Sequence, residues 1–206
     1  MAANLDSTVP TPRGLAPGNG QLVAVISRTT GRTPEVAGKP ELALHREAVR
    51  RTGARRPLVV GDRLDTDIEG ANRAGVPSLL VLTGVATPGD VVAAQEELRP
   101  SYVAGQLASG LLEPHPPVTR DSRGWVCGDA TVSSDGTLTG EGIDVLRAAC
   151  LAAWSGEVDA DRLVAGLGKR KRGGGQSSDR HEPASREAAR PESARRDRTR
   201  SDQPGG

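Results

Sequence analysis

At 206 residues the chain has room for one medium domain with appendages. It holds no Phe, one Tyr and two Trp, so its core must be built from Val, Leu, Ile and Ala, and the aromatic platforms that stack nucleic-acid bases are missing. The formal net charge of +1 averages two unlike parts, because residues 169–206 carry 11 Lys/Arg against 6 Asp/Glu while residues 1–168 carry 16 against 20.

Residues 1–20 are rich in Pro, Gly and Thr and read as loop. Gln21 to Thr30 carries Leu22, Val23, Val25 and Ile26, a short helix closed by Gly31. Glu35-Val36-Ala37 is a brief extended piece leading to Gly38-Lys39-Pro40. Pro40 suits the first turn of a helix, and Leu42, Leu44, His45, Ala48 and Val49 recur at helical spacing until Gly53. Leu58 to Val60 reads as a strand, and Ile68 to Ala74 as a helix capped by Thr66 or Asp67, with Gly75 past its end. Ser78 to Leu82 is a continuous apolar run, suited to a parallel strand covered on both faces. Pro88 to Glu97 is predicted helical, Tyr102 to Ala104 extended and Leu107 to Leu112 helical. Strands alternating with helices over residues 35–113 predict an α/β, doubly wound parallel sheet.

The Pro-rich linker Pro114-His115-Pro116-Pro117 then leads, through residue 122, to a small separate α+β module over residues 123–168. In it, Trp125 to Val132 and Thr137 to Thr139 flank the hairpin signal Ser134-Asp135-Gly136. Ile143, Leu146, Cys150 and Trp154 mark one helix face, and Leu163, Val164 and Leu167 another. From Lys169 onward the chain is basic, with no apolar side chain larger than Ala apart from proline. Such a segment cannot bury enough surface to offset its entropy, so a disordered, solvated tail is expected, with no nucleic-acid partner. Cys127 and Cys150 form no close pair and imply neither a disulfide framework nor a zinc site. No targeting segment and no apolar run of about 18 residues occurs, so a cytoplasmic protein without a membrane partner is expected.

The chemistry concentrates in Gly61-Asp62-Arg63-Leu64-Asp65-Thr66-Asp67-Ile68, an acidic loop between a strand and a helix. Asp62 directly follows the strand, so its carboxylate is expected at the sheet's carboxyl edge, where open α/β sheets bind ligands. Together with Asp67 it is placed to hold a hard divalent cation next to a phosphate. Asp67 stands at a helix start, where an acid can equally be only a cap, and Asp65 reads as a loop acid. Lys39, between Gly38 and Pro40, is set to neutralise a phosphate or a nearby carboxylate. A calcium loop beginning at Asp65 fails, because Val76 stands where a bidentate Glu is needed. Gly18-Asn19-Gly20 lacks a preceding strand, His45 reads as a packing histidine, and no Ser-His-Asp or Cys-His set can be assembled.

With Gly38-Lys39-Pro40 followed 22 residues after the lysine by Gly61-Asp62, residues 1 to about 113 resemble the C-terminal half of haloacid dehalogenase (HAD) superfamily hydrolases, of the p-nitrophenylphosphatase and phosphoglycolate phosphatase type. The resemblance implies a partial HAD-like Rossmannoid sheet over residues 35–113 and a cap-domain remnant over residues 1–34. It implies Mg²⁺ as cofactor, with Asp62 as its ligand and Asp67 as support, and Lys39 as the catalytic anchor of nucleophile and phosphate. Asn4 and Asp6 match the end of the cap, which closes over the substrate, a phosphorylated small molecule. The family's opening strand, whose Asp-x-Asp supplies an aspartyl nucleophile, has no counterpart here, so the chain is expected to be truncated at Met1 and inactive as it stands. The missing neighbour would leave Leu58-Val59-Val60 as an unpaired edge open to self-association. A non-catalytic remnant or protein-interaction module is the alternative.

Overall fold

The computed structural model describes residues 1–41 and 43–173. The chain begins with a parallel bridge between Ala2 and Val36 and an antiparallel ribbon, β1 (Thr8–Thr11) and β2 (Gly14–Pro17). Residues 1–20 are therefore not all loop. Val9 and Leu15 are both exposed in the ribbon, so it has no buried face and no alternation by which a sequence could announce it. Helix α1 (Asn19–Thr30) and helix α2 (Ala43–Thr52) follow. Neither buries a residue fully, and Leu22, Val25, Ile26 and Leu44 are exposed. Pro40 lies outside α2, behind a cis Lys39–Pro40 peptide bond.

The α/β layer is a three-stranded parallel sheet in the order β3 (Val59–Gly61), β4 (Ser78–Val81), β5 (Tyr102–Ala104). Every residue of β4 is buried, as a central parallel strand requires. Leu80 faces one core with Val91, Val92 and Val103, while Leu79, Val81 and Ala104 form a second cluster. Helix α5 (Leu107–Leu112) packs its Gly110 against Leu79 and Ala104. Between the strands run α3 (Glu69–Ala74), preceded by a π-helical turn over Leu64–Ile68, and α4 (Pro88–Val92). Thr87 caps α4 reciprocally with Asp90, and a short 3₁₀ turn, Glu96–Leu98, completes the expected Pro88–Glu97 segment. As expected, β3 is an edge of this sheet, with Leu58 and Val60 exposed.

Residues 119–173 add an antiparallel sheet, β6 (Thr119–Asp121), β7 (Gly124–Cys127), β8 (Ala130–Val132) and β9 (Leu138–Thr139). Helices α6 (Gly142–Trp154) and α7 (Ala160–Gly173) complete it. These elements do not stand apart as a separate module. Cys127, Val132, Leu146, Ala149 and Leu163 share one apolar core with Ile68, Leu80, Val91 and Val103. The Pro-rich segment expected as a linker is tied down as well. His115 Nδ1 accepts from Arg147, its Nε2 donates to Gly110 O at 2.7 Å, and Arg147 Nε donates to Val103 O.

Burial pushes the Cys127 thiol, helped by the Asp144 charge, up to about 11, and burial raises Cys150 as well, so both stay protonated and inert at neutral pH. The helix α7 continues through Gly173, beyond the expected tail start at Lys169, because lysine and arginine are good helix formers. The rest of the expected disordered tail, residues 174–206, lies outside the described residues. Among the described residues, no helix is long and apolar enough to cross a membrane.

Candidate metal and phosphate site

Four segments converge at the carboxyl end of β3. They are the segment around Asp6 that leads into the ribbon, the turn at Lys39, the acidic loop 62–67 and the loop that follows β4. Asp62 leaves the strand as expected. Its Oδ2 accepts the Val85 N–H at 2.9 Å, and its main-chain carbonyl accepts from Ala86 N at 2.9 Å. The loop after β4 is thus clipped onto Asp62 from both sides. A Cβ on Gly84 would lie 1.8 Å from Asp62 Oδ2, so only glycine allows this approach. Gly84→Ala is expected to displace the Asp62 carboxylate and destabilise the fold by about 1–3 kcal/mol. Urea unfolding checks it, and a change under about 0.5 kcal/mol would contradict the packing argument.

Asp67 is buried within the π-helical turn. Neither it nor Thr66 caps α3: the residue before that helix is Ile68, and no side-chain cap bond forms. Asp67 Oδ1 instead pairs with Lys39 Nζ at 2.9 Å, and Oδ2 accepts the Arg63 N–H at 3.2 Å. Gly61 makes room for it, since a Cβ there would lie 2.3 Å from Asp67 Cβ and Cγ. Lys39 also reaches Asp6 Oδ2 at 3.3 Å. Its backbone is fixed by the Leu5 N–H, which donates to Lys39 O at 3.1 Å.

Lys39, Asp67 and Asp6 are therefore brought together. Asn4 is spent locally: its Oδ1 accepts the Asp6 N–H, and its carbonyl accepts from Asn19 Nδ2. It braces the turn that presents Asp6. His45 stays outside this set on α2, with Nε2 buried near Gly70 and no hydrogen-bond partner among the described residues.

Arg63 is the residue that sequence reasoning missed. Its side chain is only 7 % exposed. The guanidinium grips Asp65 with two prongs (3.0 and 2.6 Å), donates to Thr8 O, Thr8 Oγ1 and Ser7 Oγ, and lies 3.8 Å from Asp6 Oδ1. Asp65 is the loop acid expected of it, holding Arg63 from the solvent side. The one local signal for Arg63 was a cation enclosed between two acids, Asp62 and Asp65, in a loop rising from a strand.

Burial by itself would lower the Lys39 pKa, but the Asp67 hydrogen bond and charge, then Asp6, more than reverse this and raise it. A raised lysine pKa contributes stability that is fully present below the ordinary value, about 10.4, and lost as pH rises through the folded value. Stability is thus expected to show no Lys39-linked change between about pH 6 and 9 and to fall above about pH 10.4. Thermal melts across that range check it, and the alkaline loss should shrink in Lys39→Met.

The donor set says which metal it suits. No group of three or more Asp, Glu, His or Cys gathers to hold a cation among the described residues. Asp67 is committed to Lys39 and Arg63, whereas Asp62 Oδ1 takes no hydrogen bond from the described residues. Ca²⁺ wants six to eight oxygens, but Mg²⁺ keeps most of its waters and accepts one or two carboxylates beside a phosphate. The residues present fit that second pattern in part, with one Asp62 oxygen free of hydrogen bonds among the described residues.

Residues 36–109 match the HAD-hydrolase-like family model. A D-glycerol 3-phosphate phosphatase of Mycobacterium tuberculosis is 46 % identical over 163 residues, 75 % of this chain and 46 % of the relative. A 5'-nucleotidase of Bacillus subtilis is 44 % identical over 87 residues, 41 % of this chain and 34 % of that protein. A crystal structure of the M. tuberculosis glycerol phosphate phosphatase in complex with magnesium superposes with a TM-score of 0.59 at 41 % identity, covering 81 % of this chain and 53 % of that one. An alignment of 163 residues is longer than the 113 or so on which the resemblance was drawn, so the likeness extends into the layer formed by β6–β9, α6 and α7. The chain spans about half the length, or less, of the curated relatives it matches. With the lysine turn, the acidic loop and the parallel sheet all in place, residues 36–109 are similar to the HAD-like hydrolases.

Proposed function

We propose that this chain carries the lysine-and-carboxylate half of an Mg²⁺-dependent phosphomonoester phosphatase site. The observation that carries the reading is the Lys39–Asp67 pair at 2.9 Å, held at the carboxyl end of the same strand that delivers Asp62. Lys39 offers an ammonium, one third exposed, to a phosphate dianion, and Asp67 fixes its position. Asp62 would ligate Mg²⁺, which would supply charge neutralisation on the phosphate. Asp6, braced by Asn4, would shape the substrate side. The names of the relatives, which include D-glycerol 3-phosphate, dihydroxyacetone and acid sugar phosphatases, support a small phosphorylated polyol or sugar as the substrate class.

The nucleophile is the part this sequence does not supply, since no apolar strand in it ends in Asp-x-Asp. The chain is proposed to be inactive without one. Titration of Mg²⁺ in the presence of inorganic phosphate tests the half-site: Asp62→Asn should weaken the joint binding about tenfold or more. An affinity unchanged by that substitution would remove Asp62 from the role.

A second reading is self-association through the free edge of β3, favoured by the exposure of Leu58 and Val60 beside its unpaired backbone. Sedimentation velocity decides it: a concentration-dependent dimer that Val60→Lys abolishes supports the edge, and a monomer at all concentrations rejects it.

A further inference from the structure

Asp6 is shared between two cations. Its Oδ2 lies 3.3 Å from Lys39 Nζ, and its Oδ1 lies 3.8 Å from Arg63 Nε. That Oδ1 is buried and has no hydrogen-bond partner among the described residues, so charge alone holds it. Arg63, by contrast, is fixed from several sides by Asp65, Thr8 and Ser7, and its own main-chain N–H donates to Asp67. A closed circuit results: Arg63 to Asp6, Asp6 to Lys39, Lys39 to Asp67, and Asp67 back to the Arg63 backbone. The segment that leads into the ribbon enters this circuit through Asp6, and the acidic loop through Arg63 and Asp67.

We propose that Arg63 is a positioning residue for Lys39: by drawing Asp6 toward itself and pinning Ser7 and Thr8, it keeps the lysine ammonium free to meet a phosphate. The proposal rests on the reading of Lys39 as the phosphate anchor. Without the guanidinium, Asp6 keeps Lys39 as the one cation that pairs with it among the described residues. A half-buried carboxylate left with one cation turns toward it, because an unpaired charge at that depth is unfavourable. An arriving phosphate must then compete with two carboxylates at one ammonium. Asp65 has no such effect when released, since its side chain is 56 % exposed and water solvates it.

The test measures the affinity of the full chain for inorganic phosphate. Arg63→Gln is expected to weaken it about tenfold, in the range of coupling between charges in one network. Asp6→Asn added to Arg63→Gln is expected to restore it to within about twofold, because the competing carboxylate is gone. A merely structural arginine would lower the melting temperature of the single variant, and the second substitution would not rescue phosphate binding. Wild-type affinity in Arg63→Gln, or a double variant as weak as the single one, overturns the proposal. If Arg63→Gln does not fold, Asp6→Asn alone serves: it should tighten phosphate a few-fold, and an unchanged affinity overturns the idea. Lys39→Met separates the two levels. If it leaves phosphate binding intact, the anchor reading and the proposal fall together. If it abolishes binding while the double variant shows no rescue, only the role of Arg63 falls.

Discussion

Purified as it stands, the chain is expected to hydrolyse p-nitrophenyl phosphate or glycerol phosphate no faster than buffer, with or without Mg²⁺. On the proposed roles the site offers Lys39 to the phosphate and Asp62 to a metal, and the sequence holds no apolar strand ending in Asp-x-Asp to supply a nucleophile. Asp67 is bonded to Lys39 and to the Arg63 N–H, and Asp65 is held by Arg63. Asp62 has one oxygen without a hydrogen bond among the described residues, and its other oxygen is clipped to Val85. Removing a nucleophile removes the covalent route, and a loss of about a millionfold is typical when such a group is deleted. A fusion of this chain to a HAD-type half that ends a strand in Asp-x-Asp should turn over substrate, and Asp62→Asn should abolish that gain. Hydrolysis by the chain alone that depends on Asp62 would refute the assignment of roles.

The second large effect is expected at Lys39. Its ammonium is shared by Asp67 and Asp6, whose side chains are 9 % and 16 % exposed. Lys39→Met keeps the stem and deletes the charge, leaving two carboxylates facing each other across its place. Breaking a fully buried pair in this way costs about 3–5 kcal/mol. Lys39 itself is 34 % exposed, and solvent screening brings the expectation down to about 1–3 kcal/mol. Urea unfolding at pH 7 checks the figure. Adding Asp67→Asn to Lys39→Met should recover part of it, since one of the two uncompensated acids is then neutral. A loss under about 0.5 kcal/mol would mean that water already solvates both acids, and the pair could not then be holding the loop.

Much of the α/β layer was readable because its signals are short-range. The strand β4 is a run of apolar residues bounded by Pro77 and Thr83, and β5 and α5 fall where Tyr102–Ala104 and Leu107–Leu112 predicted them. The ribbon β1–β2 escaped because its side chains are half-buried or exposed. β6 escaped because Thr119-Arg120-Asp121 is polar throughout and shows no apolar alternation. The expected single extended run from Trp125 to Val132 is two strands turning at Gly128 and Asp129.

Taken alone, the sequence determined the alternation of strands and helices over residues 58–112, the spacing of Lys39 from the acidic loop, and the lack of an apolar run ending in Asp-x-Asp. Those properties are set by residue type and by periods of two to four residues, and they survive without knowledge of any distant contact. The tertiary structure decided what those groups face. Asp67 became a partner of Lys39 instead of a helix cap, and Asp6, 33 residues before Lys39 in the chain, came within 3.3 Å of its ammonium. Residues 119–167 joined the sheet's core instead of standing apart. Charge pairing and apolar burial act between surfaces, not between sequence neighbours. The choice of partner for Asp6, Arg63 and Leu163 was therefore made only when the folded layers met.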